Sequence, residues 1–491
     1  MTERRVVVIV GAGVAGTAVL WHLVDALGGA SGRRPEVGSV VVADPSPAGR
    51  GLAFGEDDPL LMCNSAADAN SLLPDRPDDF VDHLRGLGWT GKPDSCVPRA
   101  RMADYCHDRW ARARDLAGEQ GVAVRHVRAA VRSVRPGPRP VVTLDTGERV
   151  VADDVVVATG VHRPRVPDGF ADFTAHPRYL DSPYPVERLR AQLGTGRRVL
   201  VLGSRQSAVD AALLLCRDGH RTTMASPSGT LPAVRTSLHA PARDFPPLER
   251  LARLDPADPL LAERMTRCVV EAVRLLGGTP LRRQTSRAAD PVRRLAEETA
   301  LAEAGAVQWP GVAAAVIEAF TAFAEGLPPD RRRTLTERFA WFTDRYVTAL
   351  AAVNARRLLV HFHSGELELA ATYPRSVSFG NGTWRVEWPG SRSPTGVFDH
   401  VVNATGFHPP ELWWADGGAE LRLVPHGTDT VRHLGPDLRV RREPGAPPER
   451  VWVAGVGTHP RVPFSNFLPT VARQARAVAR QVAASGGFES L

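Results

Sequence analysis

The stretch Arg5-Val-Val-Val-Ile-Val-Gly-Ala-Gly-Val-Ala-Gly16 constrains this chain more than any other. Its β-branched run reads as a buried parallel strand, and an amphipathic, helix-like segment follows the last glycine. Gly11, Gly13 and Gly16 have the spacing of a strand–turn–helix dinucleotide site. The first permits the tight turn, the second lets backbone approach a pyrophosphate, and the third lets helix pack on strand. The free N–H groups and positive dipole end of the helix then face the phosphates. The next strand, Ser39-Val-Val-Val-Ala-Asp44, ends in an acid where a ribose hydroxyl would bind. A dinucleotide is therefore expected on Gly11, Gly13, Gly16 and Asp44.

A second unit of the same kind starts at Arg197, with strand Val199–Leu202, turn Gly203–Ala208, helix Val209–Leu215 and strand Thr222–Ala225. Two further strands run into Ala158-Thr-Gly160 and Ala404-Thr-Gly406, small-residue ends where a chain can pass close beneath a cofactor. Between Val122 and Ala158, short β-rich runs broken by Pro136-Gly-Pro138 and Asp145-Thr-Gly147 predict a small antiparallel meander. Residues 241–350 turn rich in Ala, Leu, Arg and Glu with helical periodicity and read as an insertion. A last strand covers Arg450–Gly455, and a last helix runs from about Leu468 to Ala484.

The expected fold is α/β, with two Rossmann-like dinucleotide-binding domains and a helical insertion. Residues 1–165 and 399–491 are assigned to the first domain, 166–240 and 351–398 to the second, and 241–350 to the insertion, which is expected to shape the substrate pocket.

A length of 491 residues suits two or three domains. The net charge of +7 is carried almost wholly by arginine, Lys92 being the only lysine, so a Schiff-base mechanism has a single candidate, in a Gly/Pro-flanked loop. The arginines are scattered, which reads as solvated basic surface rather than a nucleic-acid stripe. Cys63, Cys96, Cys106, Cys216 and Cys268 contain no C-x-x-C pair, which disfavours a zinc ribbon, a dithiol centre and a disulfide framework. The apolar N-terminal run carries fingerprint glycines rather than a signal-peptide cleavage region, and no other segment reaches the roughly 18–20 apolar residues of a membrane span. The chain reads as cytoplasmic, metal-free and not membrane-bound, with homo-oligomerisation left open.

The two glycine turns and two Ala-Thr-Gly strand ends together resemble the flavoprotein monooxygenases that carry one FAD and one NAD(P)H domain. Phe407-His-Pro-Pro410 is similar to the stretch after Ala-Thr-Gly in N-hydroxylating members. The linker Phe170–Leu180 partly resembles the Baeyer–Villiger linker motif: Phe170 and His176 are in register, whereas Asp172 and Leu180 depart from it. Gly51-Leu-Ala-Phe-Gly55, Leu60–Asn64, Pro74–Phe80, Val97-Pro-Arg99, Tyr346–Asn354, Ser364-Gly365 and Val401–Gly406 resemble a bacterial FAD/NAD(P)-binding family. That family includes the nitrosuccinate-forming aspartate N-monooxygenases.

The resemblance implies FAD and NADPH as cofactors. It also implies chemistry carried by a C4a-hydroperoxyflavin with no catalytic protein residue, acting on dioxygen and a small primary amine. An amino acid is expected, with L-aspartate the leading candidate. For FAD it adds Arg50, Gly51 and Asn64 to the first turn, and Gly455, Asn466, Phe467 and Leu468 at the flavin ring; Arg50 reads equally as a surface cation. The nicotinamide cofactor falls to Gly203, Ser204, Arg205, Gln206 and Ser207. Arg205 stands where the second glycine would be, and so obstructs the closest pyrophosphate approach. Strand Thr222–Ala225 ends without an acid, which disfavours NADH, and Ser226, Ser228, Arg221 and Arg235 are candidates for a 2′-phosphate.

Asn354, Arg345 and Arg356 are candidate substrate contacts, with a structural ion pair the favoured alternative for either arginine. His176 is a candidate cofactor contact. His361 and His363 alternate as on a strand and make a poor metal site. Two other readings stay open: an NAD(P)H-dependent flavoprotein reductase without oxygen insertion, and a non-catalytic flavin-binding regulator.

Overall fold

The computed structural model describes residues 4–28, 35–236, 238, 244–277, 279–389 and 396–485. The N-terminal domain opens with β1 (Arg5–Val10), α1 (Val14–Gly28) and β2 (Val37–Ala43), then α2 (Arg99–Glu119), β3 (Ala123–Val127) and β4 (Asp154–Val157). The second domain contributes β5 (Tyr179–Leu180), β6 (Arg198–Leu202), α3 (Gln206–Arg217), β7 (Arg221–Ala225), β8 (Leu367–Leu369) and β9 (His400–Asn403), and β10 (Val451–Val453) returns to the first. Both sheets are wholly parallel, in the orders β10-β4-β1-β2-β3 and β8-β7-β6-β9-β5. In each, the strand entering the glycine turn lies between the strand ending in Ala-Thr-Gly and the second strand of its own βαβ unit.

β1 shows why the sheet is covered on both faces. Val7 and Ile9 pack with the core of α1, while Val8 and Val10 pack with an antiparallel layer beneath. That layer is the expected meander, Val131–Arg135, Val141–Leu144 and Arg149–Val151, extended by Trp413–Ala415 and Glu420–Arg422. The second domain repeats the plan with the hairpin Ser376–Gly380 and Thr383–Glu387, joined by Gly396–Phe398. Phe170 is fully buried there, and His176 lies 4.1 Å from the Phe379 ring and 5.1 Å from Trp384. Phe170 and half-buried His176 of the linker motif thus pack into an aromatic cluster.

The helical insertion carries α4 (Leu261–Arg274), α5 (Pro291–Glu303) and α6 (Pro310–Glu325). Asp290 caps α5 by accepting the Arg293 N–H at 2.6 Å, with Pro291 at the first helical position. The insertion leaves and rejoins the second domain through a short parallel ladder, Val234 to Leu350 and Arg235 to Ala351. Its expected start at 241 lies outside the described residues. After it come α7 (Ala352–Ser364) and, at the C-terminus, α8 (Leu468–Ala484) packed on α1.

Two expectations change. β9 pairs with β6 and β5, so the second domain extends past the expected boundary at 399, because the hydrogen-bond ladder places His400–Asn403 in its sheet. His361 and His363 lie in the last turn of α7, which Gly365 ends in a left-handed cap, rather than on a strand. Among the described residues, no helix is long and apolar enough to cross a membrane.

Candidate dinucleotide sites and the cleft between them

The two glycine turns are built alike. Gly11 has φ +101°, its N–H donates to Ala43 O at 2.8 Å, and a Cβ there would lie 2.7 Å from Ala158 O. Gly203 has φ +125°, its N–H donates to Ala225 O at 2.7 Å, and a Cβ would lie 2.6 Å from Ala404 O. Each Ala-Thr-Gly end therefore presses a carbonyl onto the first glycine of its neighbouring turn. A side chain is excluded at both positions by contact and by backbone conformation.

At the first turn, Asp44 accepts N–H groups from Ala12 and Ser46, both at 2.7 Å, and so fixes the loop. Gly49 donates to Ala12 O at 2.8 Å, which lays Gly51 over Gly13. Arg50 is paired with Asp57 at 2.9 Å and lies 3.8 Å from Asp104, partly exposed pairs of small energetic weight. Asn64 Oδ1 is buried without a hydrogen-bond partner. An orphaned buried acceptor costs roughly 1–3 kcal/mol, and a ligand N–H or O–H would relieve that cost.

The Gly455 turn sits against the first turn of α1, where a Cβ would meet Ala15 Cβ at 2.9 Å, and Gln474 holds it by accepting the Gly455 N–H at 3.0 Å. Leu468 joins the first-domain core and Phe467 that of the second domain and insertion, while Asn466 is exposed. α8 begins with no side-chain cap, which leaves N–H groups of its first turn for a ligand.

At the second turn, Arg205 adopts an extended conformation and pairs with Asp344 of the insertion, away from the turn itself. Ser204 donates to Ser226 Oγ at 3.0 Å, and Ser228 Oγ lies 3.4 Å from Ser226 Oγ. Gln206 donates to Asp210 Oδ1 at 3.0 Å, and its own Oε1 is buried without a partner; Ser207 follows in the first turn of α3. Both turns thus keep open backbone and unsatisfied polar atoms suited to a dinucleotide.

Several expected contacts are instead committed elsewhere. Arg235 is 1% exposed and donates to the carbonyls of Asn64, Tyr346 and Val347, at 2.9, 3.2 and 3.0 Å. Burial pushes it down to about 10, still a cation at neutral pH, but no phosphate can reach it there. Arg221 begins β7, at the opposite end from Ser226, whereas ligands bind at the carboxyl ends of such strands. Arg345 is paired with buried Glu298 and donates to Leu231 O at 3.0 Å, so its guanidinium is not free for a substrate carboxylate. Burial pushes Glu298 up, with Arg345 opposing. Arg356 lies on the outer surface against Glu303. Asn354 is buried, accepting from Arg357 at 3.4 Å, and Arg357 also reaches Leu60 O at 3.5 Å. Asn354 therefore stands where α7 meets the loop of Asn64.

One assembly has no signal in local sequence. Arg99, at the start of α2, pairs with Asp210 of α3 at 2.6 Å, with Tyr184 donating to the same carboxylate. Burial opposes the charge of Arg99, and Asp210 more than restores it. Asp58 adds a second tie between domains, to Arg190 at 2.6 Å and Arg217 at 2.8 Å. Burial alone would raise the Asp58 carboxyl, but these arginines bring it down to about 2. Among the described residues, no group of three or more His, Cys, Asp or Glu could hold a metal ion.

A family model described as FAD-NAD(P)-binding matches residues 8–162. No curated protein sequence matches significantly. Among solved structures, the ornithine N-hydroxylase of Kutzneria sp. 744 is similar over 99% of this chain and 100% of that one, at 16% identity and TM-score 0.61. The ornithine hydroxylase of Pseudomonas aeruginosa covers 98% and 99%, at 13% identity and TM-score 0.58. The cadaverine monooxygenase of Erwinia amylovora covers 98% and 95%, at 14% identity and TM-score 0.56. The chain therefore has the fold of the N-hydroxylating flavin monooxygenases, with an FAD-NAD(P)-binding domain at its N-terminus.

Proposed function

We propose that the protein is an FAD- and NADPH-dependent monooxygenase that N-oxygenates a small primary amine. The observation that carries this reading is the pair of matching glycine turns, each pressed by an Ala-Thr-Gly carbonyl, within a fold shared with amine hydroxylases. FAD belongs at Gly11, Gly13 and Gly16, with Asn64 supplying an unpaired acceptor and the Gly455 turn with Asn466–Leu468 bordering the ring. NADPH belongs at Gly203–Ser207. Its 2′-phosphate falls to Ser226 and Ser228, with Arg205 recruited from its exposed pair with Asp344. The second strand of that unit ends without an acid, which supports NADPH over NADH.

When bound, FAD supplies electron uptake from NADPH and oxygen transfer. The chain's own residues have to exclude water and keep the amine neutral, and burial favours the uncharged form. The insertion contributes to exclusion by packing on the flavin-side turn, where Arg332 donates to Pro460 O at 2.6 Å.

The test is oxygen uptake by the purified yellow protein with NADPH, across a panel of primary amines that includes L-aspartate. Uptake stimulated by one amine, with a hydroxylamine or nitro product and little peroxide, supports the reading. Flavin reduction that no amine accelerates, with all oxygen released as peroxide, refutes it.

A further inference from the structure

The insertion and Phe464 line an apolar pocket of about 140 Å³, partly open to solvent, between α4 and α6 and bordered by residues 339–347. Cores normally pack without voids larger than a water molecule, and a dry apolar cavity of about 150 Å³ is enough to bind benzene. No charged side chain lines the space. The hydroxyls of Thr266, Thr336 and Thr343 donate to carbonyls of their own helices, so they offer no donor to a ligand. Trp309, 4% exposed, lines the cavity with its Nε1–H unpartnered, a buried donor awaiting an acceptor.

The cavity adjoins the segments assigned to FAD. Phe464, whose ring lies 5.7 Å from Phe320, closely precedes Phe467 and Leu468. Tyr346 and Val347 in the wall offer their carbonyls to Arg235, which also holds Asn64. Those residues belong to a single π-helical turn, Thr343–Val347, a widened geometry that recurs at functional sites. On the outer side, Thr266, Val270, Phe339 and Trp341 also border a surface groove, with Trp341 59% exposed at the mouth. A carboxylate or ammonium inside would be an unpaired buried charge, and Arg345 is held by Glu298.

We propose that this cavity receives a phenyl or branched-alkyl group of the substrate. The substrate class is then a hydrophobic primary amine rather than a dicarboxylic or diamino acid. The word substrate rests on the N-oxygenase reading, whereas the binding of an apolar amine does not.

The test measures thermal shift and calorimetric binding of phenethylamine, isoamylamine, L-aspartate and L-ornithine to the FAD-loaded protein, alongside oxygen uptake. Phenethylamine or isoamylamine is expected to bind and L-aspartate not to. Ala313→Leu, which fills the void, is expected to weaken that binding at least tenfold with FAD occupancy retained. Trp341→Ala, which removes apolar wall at the exposed mouth, is also expected to weaken that binding and serves if the filled variant does not fold. Binding of an apolar amine that the filled variant abolishes, with no amine oxygenated, upholds the cavity and removes the N-oxygenase reading. Coupled oxygenation of L-aspartate or L-ornithine, with no binding of either apolar amine, overturns the inference and leaves that reading intact. Phenethylamine binding untouched by both variants also overturns it.

Discussion

Gly13→Ala separates folding from cofactor binding, because the three fingerprint glycines face different neighbours. A Cβ on Gly11 would meet Ala158 O at 2.7 Å with φ at +101°, and one on Gly16 would meet Gly11 O at 1.9 Å. A Cβ on Gly13 would meet nothing nearer than Gly51 Cα at 3.6 Å, an ordinary contact at a normal φ. The fold itself therefore requires Gly11 and Gly16, whereas Gly13 is open for something the chain does not supply. Replacing it by alanine should leave the apoprotein as stable as wild type, or more so by about 0.4–1 kcal/mol through the unfolded chain. Gly11→Ala should cost at least about 1–2 kcal/mol from the left-handed backbone alone, before the carbonyl clash. If the Gly13 methyl displaces the pyrophosphate from one charge-assisted hydrogen bond, FAD binding loses about 2–3 kcal/mol, or roughly 30- to 150-fold. Denaturant melts of the apoproteins and FAD titration by flavin fluorescence read the two quantities separately. Wild-type FAD affinity in Gly13→Ala, or an apoprotein as damaged as Gly11→Ala, would refute the placement.

Asp210→Asn should cost about 3–5 kcal/mol in a denaturant melt, since it strands buried Arg99; Arg99→Met with Asp210→Leu should recover most of that loss, and equal losses would contradict it. His400 is held down at about 4 by burial and then by the cations of Arg178 and Arg197. It stays neutral in the folded chain while the unfolded chain protonates near 6.5. Stability present above pH 6.5 is therefore lost as pH falls toward 4, by at most about 3 kcal/mol. His400→Gln should flatten that slope in urea melts, and parallel slopes would exclude His400 as its source. Arg205→Ala should weaken NADPH about tenfold and leave NADH nearly unchanged; equal losses in a binding titration would remove the 2′-phosphate role.

The two dinucleotide units were legible because their determinants are local. A β-branched run entering glycines at fixed spacing specifies strand, turn and helix through conformations set within a few residues, and the Ala-Thr-Gly ends are read the same way. The meander and α8 follow from turn residues and periodicity on the same scale. What periodicity could not assign was which sheet the strand His400–Asn403 joins, because register partners lie about 200 residues away.

The arginines illustrate the remaining division. Arg205, Arg235, Arg345 and Arg356 are chemically identical in the sequence, and each was a candidate for an anionic ligand. Tertiary structure alone decided that Arg235 would be buried against carbonyls as distant as Asn64, that Arg345 would meet Glu298, and that Arg205 and Arg356 would stay at exposed carboxylates. A guanidinium's role depends on which acceptor the fold brings within about 4 Å, and no local pattern encodes that. The same holds for the apolar cavity, a volume left between side chains of α4, α6, the π-helical turn and Phe464. The sequence by itself determined the two strand–glycine turn–helix units; only the packing of distant segments decided which guanidiniums are committed to carboxylates and carbonyls and what apolar volume is left between the helices.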